Sequence, residues 1–350
     1  MASMAKHRSI FAALFLVSLA GDAAVAGTQP CTDEMAWAKP GSWTVRAEDD
    51  DAMADRSYPK AQYPVAFAKA DRVVALLKQA IPNLNGVEAR SYRTIRGSSY
   101  IKNGALKYGV NALFLGYYCV PNTPSFPKVR GQVRLGDETG TWIYIDFNNF
   151  SWLANESEML RHGLLAKDGG VAPYYYFPKQ GGEWRGLPLL VAPAYGVRTF
   201  AVRNAPPSVR AEAVIIAPEG HKPYRFITRK EYLEARIRYE QKQKGPDLEM
   251  LRAALAALTP EERKADAIVP RSRYLYKDKK KIFATEAEGG QRIFGISARF
   301  FDKNLPRHAV QFITVYWKWD VGPNNTAKQR VIRQFKENLD VQALRAMLDR

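Results

Sequence analysis

Two cysteines, Cys31 and Cys119, are the only ones in the chain of 350 residues. A pair of thiols admits one intramolecular disulfide and no alternative connectivity. If it closes, it ties a segment near the start to a strand-like run far along the sequence. In the chain-entropy view, closing so long a loop is worth roughly 4–5 kcal/mol. Neither cysteine stands in a Cys-x-x-Cys or helix-start setting that would lower a thiol pKa, so a structural bridge is expected in preference to a reactive nucleophile.

The bridge requires an oxidising compartment, and residues 1–26 have the features of an export signal. Lys6, His7 and Arg8 form a basic head, Ile10 to Ala20 an apolar run, and Ala24-Val25-Ala26 a small-x-small cleavage pattern before Gly27. The run is too short to span a bilayer comfortably as a helix, and no second long apolar run follows. The expectation is an exported soluble protein, periplasmic or extracellular, with no transmembrane segment in the mature chain.

The formal net charge is +17. Residues 27–56 run against this trend, with seven carboxylates facing Lys39, Arg46 and Arg56. The remaining body is therefore strongly basic. Outside a cell such a surface favours anionic glycans, envelope surfaces or an acidic protein, and nucleic acid is not expected. The hydrophobic fraction of 46% and aromatic fraction of 12% are those of a globular chain.

Local patterning predicts an α+β protein: antiparallel sheets packed by segregated helices, in two subdomains, with one disulfide. Val65 to Ala80 has helical spacing and Pro82 beyond its end. Val87 to Ile95, Asn111 to Val120 and Trp142 to Phe147 read as strands. In the last of these Trp142, Tyr144 and Asp146 face one side, and Ile143, Ile145 and Phe147 the other. Lys179-Gln180-Gly181-Gly182 reads as a turn. Asn204-Ala205-Pro206-Pro207-Ser208 marks a boundary, dividing an aromatic-rich domain over 27–205 from a second domain over 206–350.

In that second part Thr228-Arg229-Lys230-Glu231 is a capping box opening a helix to about Lys244. Asp247 is expected to cap a second helix, and Thr259-Pro260-Glu261-Glu262 to open a third. Gln291 to Phe301 and His308 to Trp319 are strand patterns joined as a hairpin through Asp302 to Pro306. Val341, Leu344 and Leu348 give a closing amphipathic helix.

Motifs that carry chemistry are missing. There is no nucleophile elbow, no phosphate-binding glycine loop and no His-Glu-x-x-His helix. His162, His221 and His308 are scattered. Glu48, Asp49, Asp50, Asp51 and Asp55 lack the spacing of a calcium loop, so no metal is expected, and no cofactor. The candidate ligand-binding segment is Arg271, Arg273, Tyr274, Tyr276, Lys277, Lys279, Lys280 and Lys281, where cations can pair with sulfate or phosphate and tyrosines can stack on rings. The first reading is a non-catalytic, envelope-associated or anionic-ligand-binding protein. The alternative is a secreted hydrolase of a glycan or ester, with Asp146 and Glu183 (beside Trp184) as paired carboxylates.

Overall fold

The computed structural model describes residues 30–48, 58–95, 104–120, 131–136, 141–150, 174–191, 209–270, 281–320 and 326–349. The chain is α+β. Its elements are α1 (Asp33–Ala38), β1 (Trp43–Glu48), α2 (Tyr63–Ala80), β2 (Val87–Ile95), β3 (Tyr108–Cys119), β4 (Val133–Leu135), β5 (Thr141–Phe147), β6 (Tyr174–Tyr176), β7 (Lys179–Trp184), β8 (Leu187–Val191), β9 (Val209–Ile216) and β10 (Tyr224–Phe226). There follow α3 (Arg229–Gln243), α4 (Leu248–Ala257), α5 (Pro260–Lys264), β11 (Ile268–Pro270), β12 (Gly290–Ile296), β13 (Ile313–Asp320), α6 (Thr326–Asn338) and α7 (Val341–Arg345). The expected leader over 1–26 and the acidic run Asp49 to Asp55 lie outside the described residues.

A nine-stranded sheet runs β1-β2-β3-β5-β13-β9-β8-β7, with β4 paired to the far end of β3. Alternation along its strands produces two distinct faces. One face carries Val110, Ile145, Val315 and Val214 in one row and Tyr108, Phe147, Ile313 and Ile216 in the next. These are buried against α2, α6 and α7 in the largest core. The other face carries Tyr92, Asn111, Tyr144, Tyr316 and Ala213 in one continuous row. Tyr144, Tyr316 and Ala213 pack there with Phe150, Tyr175, Phe294, Phe301 and Phe312. A four-stranded sheet, β10-β12-β11 with β6 beside β12, packs against α3 and α4 through Ile227, Leu233, Leu251, Val269 and Ile293.

The disulfide closes between Cys31 and Cys119, with Cα atoms 5.7 Å apart. It ties the segment before α1 to the end of β3. Both predicted capping boxes form: Thr228 Oγ1 accepts from Glu231 N while the Glu231 carboxylate accepts from Thr228 N, and Thr259 and Glu262 repeat the pattern.

Several local expectations are corrected. The sheet is mixed, because β1 and β2 are parallel. The helix α2 lies between them in sequence and makes the crossover that a parallel pair requires. Lys179 to Gly182 is not a turn: it belongs to β7, and Gly181 and Gly182 form a bulge against β8. The turn falls at Arg185–Gly186, both with positive φ (50° and 73°). Two such residues between paired strands have the twist of a tight hairpin.

Asp247 does not cap α4 with its side chain; its carboxylate faces Arg236 at 3.8 Å. The strand patterns around 291–301 and 308–319 form no hairpin, since β12 joins the small sheet and β13 the large one. The side chain of Asn148 holds the connection between them, donating to Leu106 O and Ala309 O and accepting from Gln311 N at 2.8 Å. The expected boundary, Asn204 to Ser208, lies outside the described residues; β8 and β9, which precede and follow it in sequence, are hydrogen-bonded neighbours in the large sheet.

Candidate functional site

The site is built on α6, a helix that the sequence reading passed over. Ala327, Val331, Ile332 and Phe335 are its buried residues, spaced so that one stripe faces the sheet. Three of the seven tryptophans meet that stripe or its end. Trp317, fully buried on β13, lies 5.4 Å from the Phe335 ring. Trp184, at the end of β7, lies 5.0 Å from Trp317 and stacks on Phe335 at 5.8 Å. Trp319, two residues beyond Trp317 on the same face, is only half-buried.

The β7–β8 hairpin reaches the C-terminal end of α6. Trp184 Nε1 donates to Lys336 O at 3.0 Å, and Arg185 Nε donates to the same oxygen at 3.2 Å. An Arg185 Nη2 bond to Glu337 O completes the contact. The last carbonyls of a helix lack intrahelical donors and carry partial negative charge, so an arginine there satisfies both needs.

Between these elements is a groove of about 460 Å³, lined by Trp184, Trp319, Gln329, Ile332, Arg333, Lys336 and Glu337. Lys336 Nζ is held by Glu212 Oε2 at 2.8 Å, and the same oxygen accepts from Trp317 Nε1 at 3.0 Å. The ammonium also lies 5.7 and 5.9 Å from the Trp317 and Trp319 ring centres, within cation–π range. Arg333 is exposed on α6, and among the described residues no carboxylate pairs with it. The groove thus combines an aromatic wall, a positioned ammonium, a guanidinium with no ion pair among the described residues, and the Glu337 carboxylate. Such a set can stack a ring and pair with a carboxylate or sulfate.

Among the described residues no group of three or more His, Cys, Asp or Glu side chains is arranged to hold a metal. Comparison with protein-family models, curated proteins and solved structures finds no match to any of them.

The residues singled out from sequence are placed as follows. Arg271, Arg273, Tyr274, Tyr276, Lys277, Lys279 and Lys280 lie outside the described residues. Lys281 is described and bonded to Glu288. That bond, with the Thr285 amide and hydroxyl, draws the Glu288 carboxyl down to about 2.

Asp146 and Glu183 are not brought together. Asp146 is buried on β5, where Asn149 Nδ2 donates to its Oδ2 at 3.1 Å. Glu183 is exposed on β7, four strand intervals away in the sheet order. At about 4.8 Å per interval this is roughly 19 Å, against the roughly 5–9.5 Å between the two carboxyls of a glycosidase. The paired-carboxylate arrangement is therefore absent at these two residues. Trp184, the neighbour of Glu183 in sequence, lines the groove. The signal that could have found the groove is the helical spacing of Ala327, Val331, Ile332 and Phe335 beside the Trp317-x-Trp319 pair.

Proposed function

We propose that the protein is exported and binds an anionic ligand, most simply a glycan bearing carboxylate or sulfate groups, in the groove between α6 and the β7–β8 hairpin. The observation that carries this reading is Arg333, a guanidinium with no ion pair among the described residues, at the edge of an aromatic-lined groove. Sugar rings stack on indole faces, and guanidinium pairs with carboxylate or sulfate in two-point fashion. The net charge of +17 adds long-range attraction toward polyanions. The Cys31–Cys119 disulfide fits an oxidising compartment outside the cytoplasm.

The test is a titration of the purified, oxidised chain with oligogalacturonate and with chondroitin sulfate oligosaccharides, neutral dextran serving as control. Tryptophan fluorescence reports the groove directly. Binding of either polyanion is expected to fall as salt rises, and Arg333→Glu and Trp319→Ala are each expected to weaken it by about tenfold, near 1.4 kcal/mol. Equal binding by both variants would remove the groove from the proposal. No binding of either polyanion at low salt would overturn the anionic-glycan reading.

A further inference from the structure

The register of β13 and β9 places Arg210 beside Trp319. Paired residues of neighbouring antiparallel strands point to the same face, with Cα atoms about 4.5–5.5 Å apart. The next pair along that face is Trp317 and Glu212, and there the indole Nε1 donates to Glu212 Oε2 at 3.0 Å. Arg210 therefore stands on the groove side of the sheet and flanks the half-buried Trp319, a groove residue. It is exposed, and among the described residues no carboxylate pairs with it.

The surface continues across the sheet. Glu212 is in register with Val191 of β8, and Val191 with Lys179 of β7. Val191 is 48% exposed, an apolar side chain between two exposed cations. Among the described residues no carboxylate pairs with Lys179. Glu212, the carboxylate in this row, is taken by the Lys336 ammonium and the Trp317 indole. From Trp319 on β13 to Lys179 on β7 there are three strand intervals. At about 4.8 Å each they cover roughly 14 Å along the sheet, more than a single sugar ring fills. Beside the hairpin turn the sign is reversed, because Glu337 is exposed there at the end of α6. A long anion lying on Trp319 is repelled on the Glu337 side and attracted over β9.

We infer that the binding track runs out of the groove over Arg210 to Lys179, and that its ligand is an extended anionic glycan. One ring stacks on Trp319, and carboxylate or sulfate groups of the following units pair with Arg210 and Lys179. Val191 gives the intervening ring an apolar surface. The inference rests on the anionic-glycan reading of the groove and adds chain length and direction to it.

The experiment titrates the full, oxidised chain with a galacturonate disaccharide and octasaccharide, read by tryptophan fluorescence. Arg210→Glu/Lys179→Glu is expected to weaken the octasaccharide by about tenfold and the disaccharide by at most about twofold. Arg333→Glu, inside the groove, should weaken both. Lys242→Glu/Lys264→Glu makes the same change of net charge on α3 and α5 and should cost the octasaccharide at most about twofold. Arg210→Gln/Lys179→Gln should give a smaller, still selective loss, and it carries the test if the Glu pair lowers the urea midpoint. Native octasaccharide affinity in both Arg210/Lys179 variants, with Arg333→Glu still weakening both ligands, would overturn the track and leave the groove standing. So would an equal loss in the Lys242/Lys264 variant, which would reduce the effect to net charge. Tighter binding of an oligothymidylate than of the octasaccharide would overturn the glycan as the ligand. Binding of neither oligosaccharide by the native chain would remove the groove reading, and the track with it.

Discussion

Trp184 Nε1 donates to the carbonyl of Lys336 at 3.0 Å across 152 residues of sequence. With the Arg185 bonds to Lys336 O and Glu337 O, it joins the edge hairpin of the sheet to the end of α6. The same indole packs on Trp317 and Phe335, so its position is set by both apolar contact and hydrogen bonding.

Trp184→Phe keeps most of the apolar contact and removes the donor. Arg185 still donates to the same oxygen, so the expected loss is about 1 kcal/mol of unfolding free energy. Trp184→Ala also opens a cavity and should cost about 3–5 kcal/mol. Urea denaturation of the two variants measures both, and the difference between them separates the packing from the hydrogen bond.

The Cys31–Cys119 bridge closes a loop with a sequence separation of 88. Its reduction is expected to lower stability by about 4 kcal/mol, chiefly by enlarging the unfolded ensemble. Guanidinium melts with and without a phosphine reductant read this out, and a Cys31→Ser/Cys119→Ser double variant should match the reduced protein.

Gly109 on β3 lies beside Asp146 on β5. A Cβ added there would stand 2.4 Å from the Ile145 carbonyl oxygen and 2.6 Å from Asp146 Oδ1. The backbone oxygen is part of the sheet and has little room to move. Gly109→Ala is expected to destabilise by about 1–3 kcal/mol, measured as a lower urea midpoint with an unchanged slope.

Lys318 and the buried tyrosines give opposite pH dependences. Burial lowers the Lys318 amine to about 8, so between about pH 8 and pH 10.5 the unfolded chain holds a proton that the folded chain has released, and stability rises with pH. Burial raises the Tyr108 and Tyr316 hydroxyls, and burial with the Glu88 hydrogen bond raises that of Tyr117 to about 12. Their contribution is complete below pH 10 and is lost as pH rises through the folded values. Lys318→Met should therefore be more stable than the native chain at pH 7, by about 1–2 kcal/mol after allowing for partial exposure. The advantage should vanish by pH 10.5. Thermal melts of both proteins from pH 7 to 11 provide the comparison.

Elements whose signal is local were legible. The Thr228 and Thr259 capping boxes require only residues three apart, and both form. The alternation of Trp142, Tyr144 and Asp146 with Ile143, Ile145 and Phe147 is reproduced as the two faces of β5. The helix over 63–80 is carried by its own apolar spacing. The errors have a common cause. Gly181-Gly182 has turn chemistry, yet a bulge uses the same freedom while the strand continues to Trp184. The patterns around 291–301 and 308–319 are both strand-like, but adjacency in sequence does not decide pairing. Asn148, distant in sequence, holds the segment before β13 and leads it into the large sheet.

By itself the sequence determined the α+β class, the single available disulfide, the helix caps and which side chains alternate along each strand, because these depend on composition and on neighbours a few positions apart. The tertiary structure alone decided that Trp184, Trp319, Arg333 and Lys336 line one groove, that Asp146 and Glu183 stand four strands apart, and that Lys318 lies between Trp142 and Ala211. Strand order and register are set by burial of both sheet faces at once. That burial is a property of the whole packed chain, and no short stretch of sequence carries it.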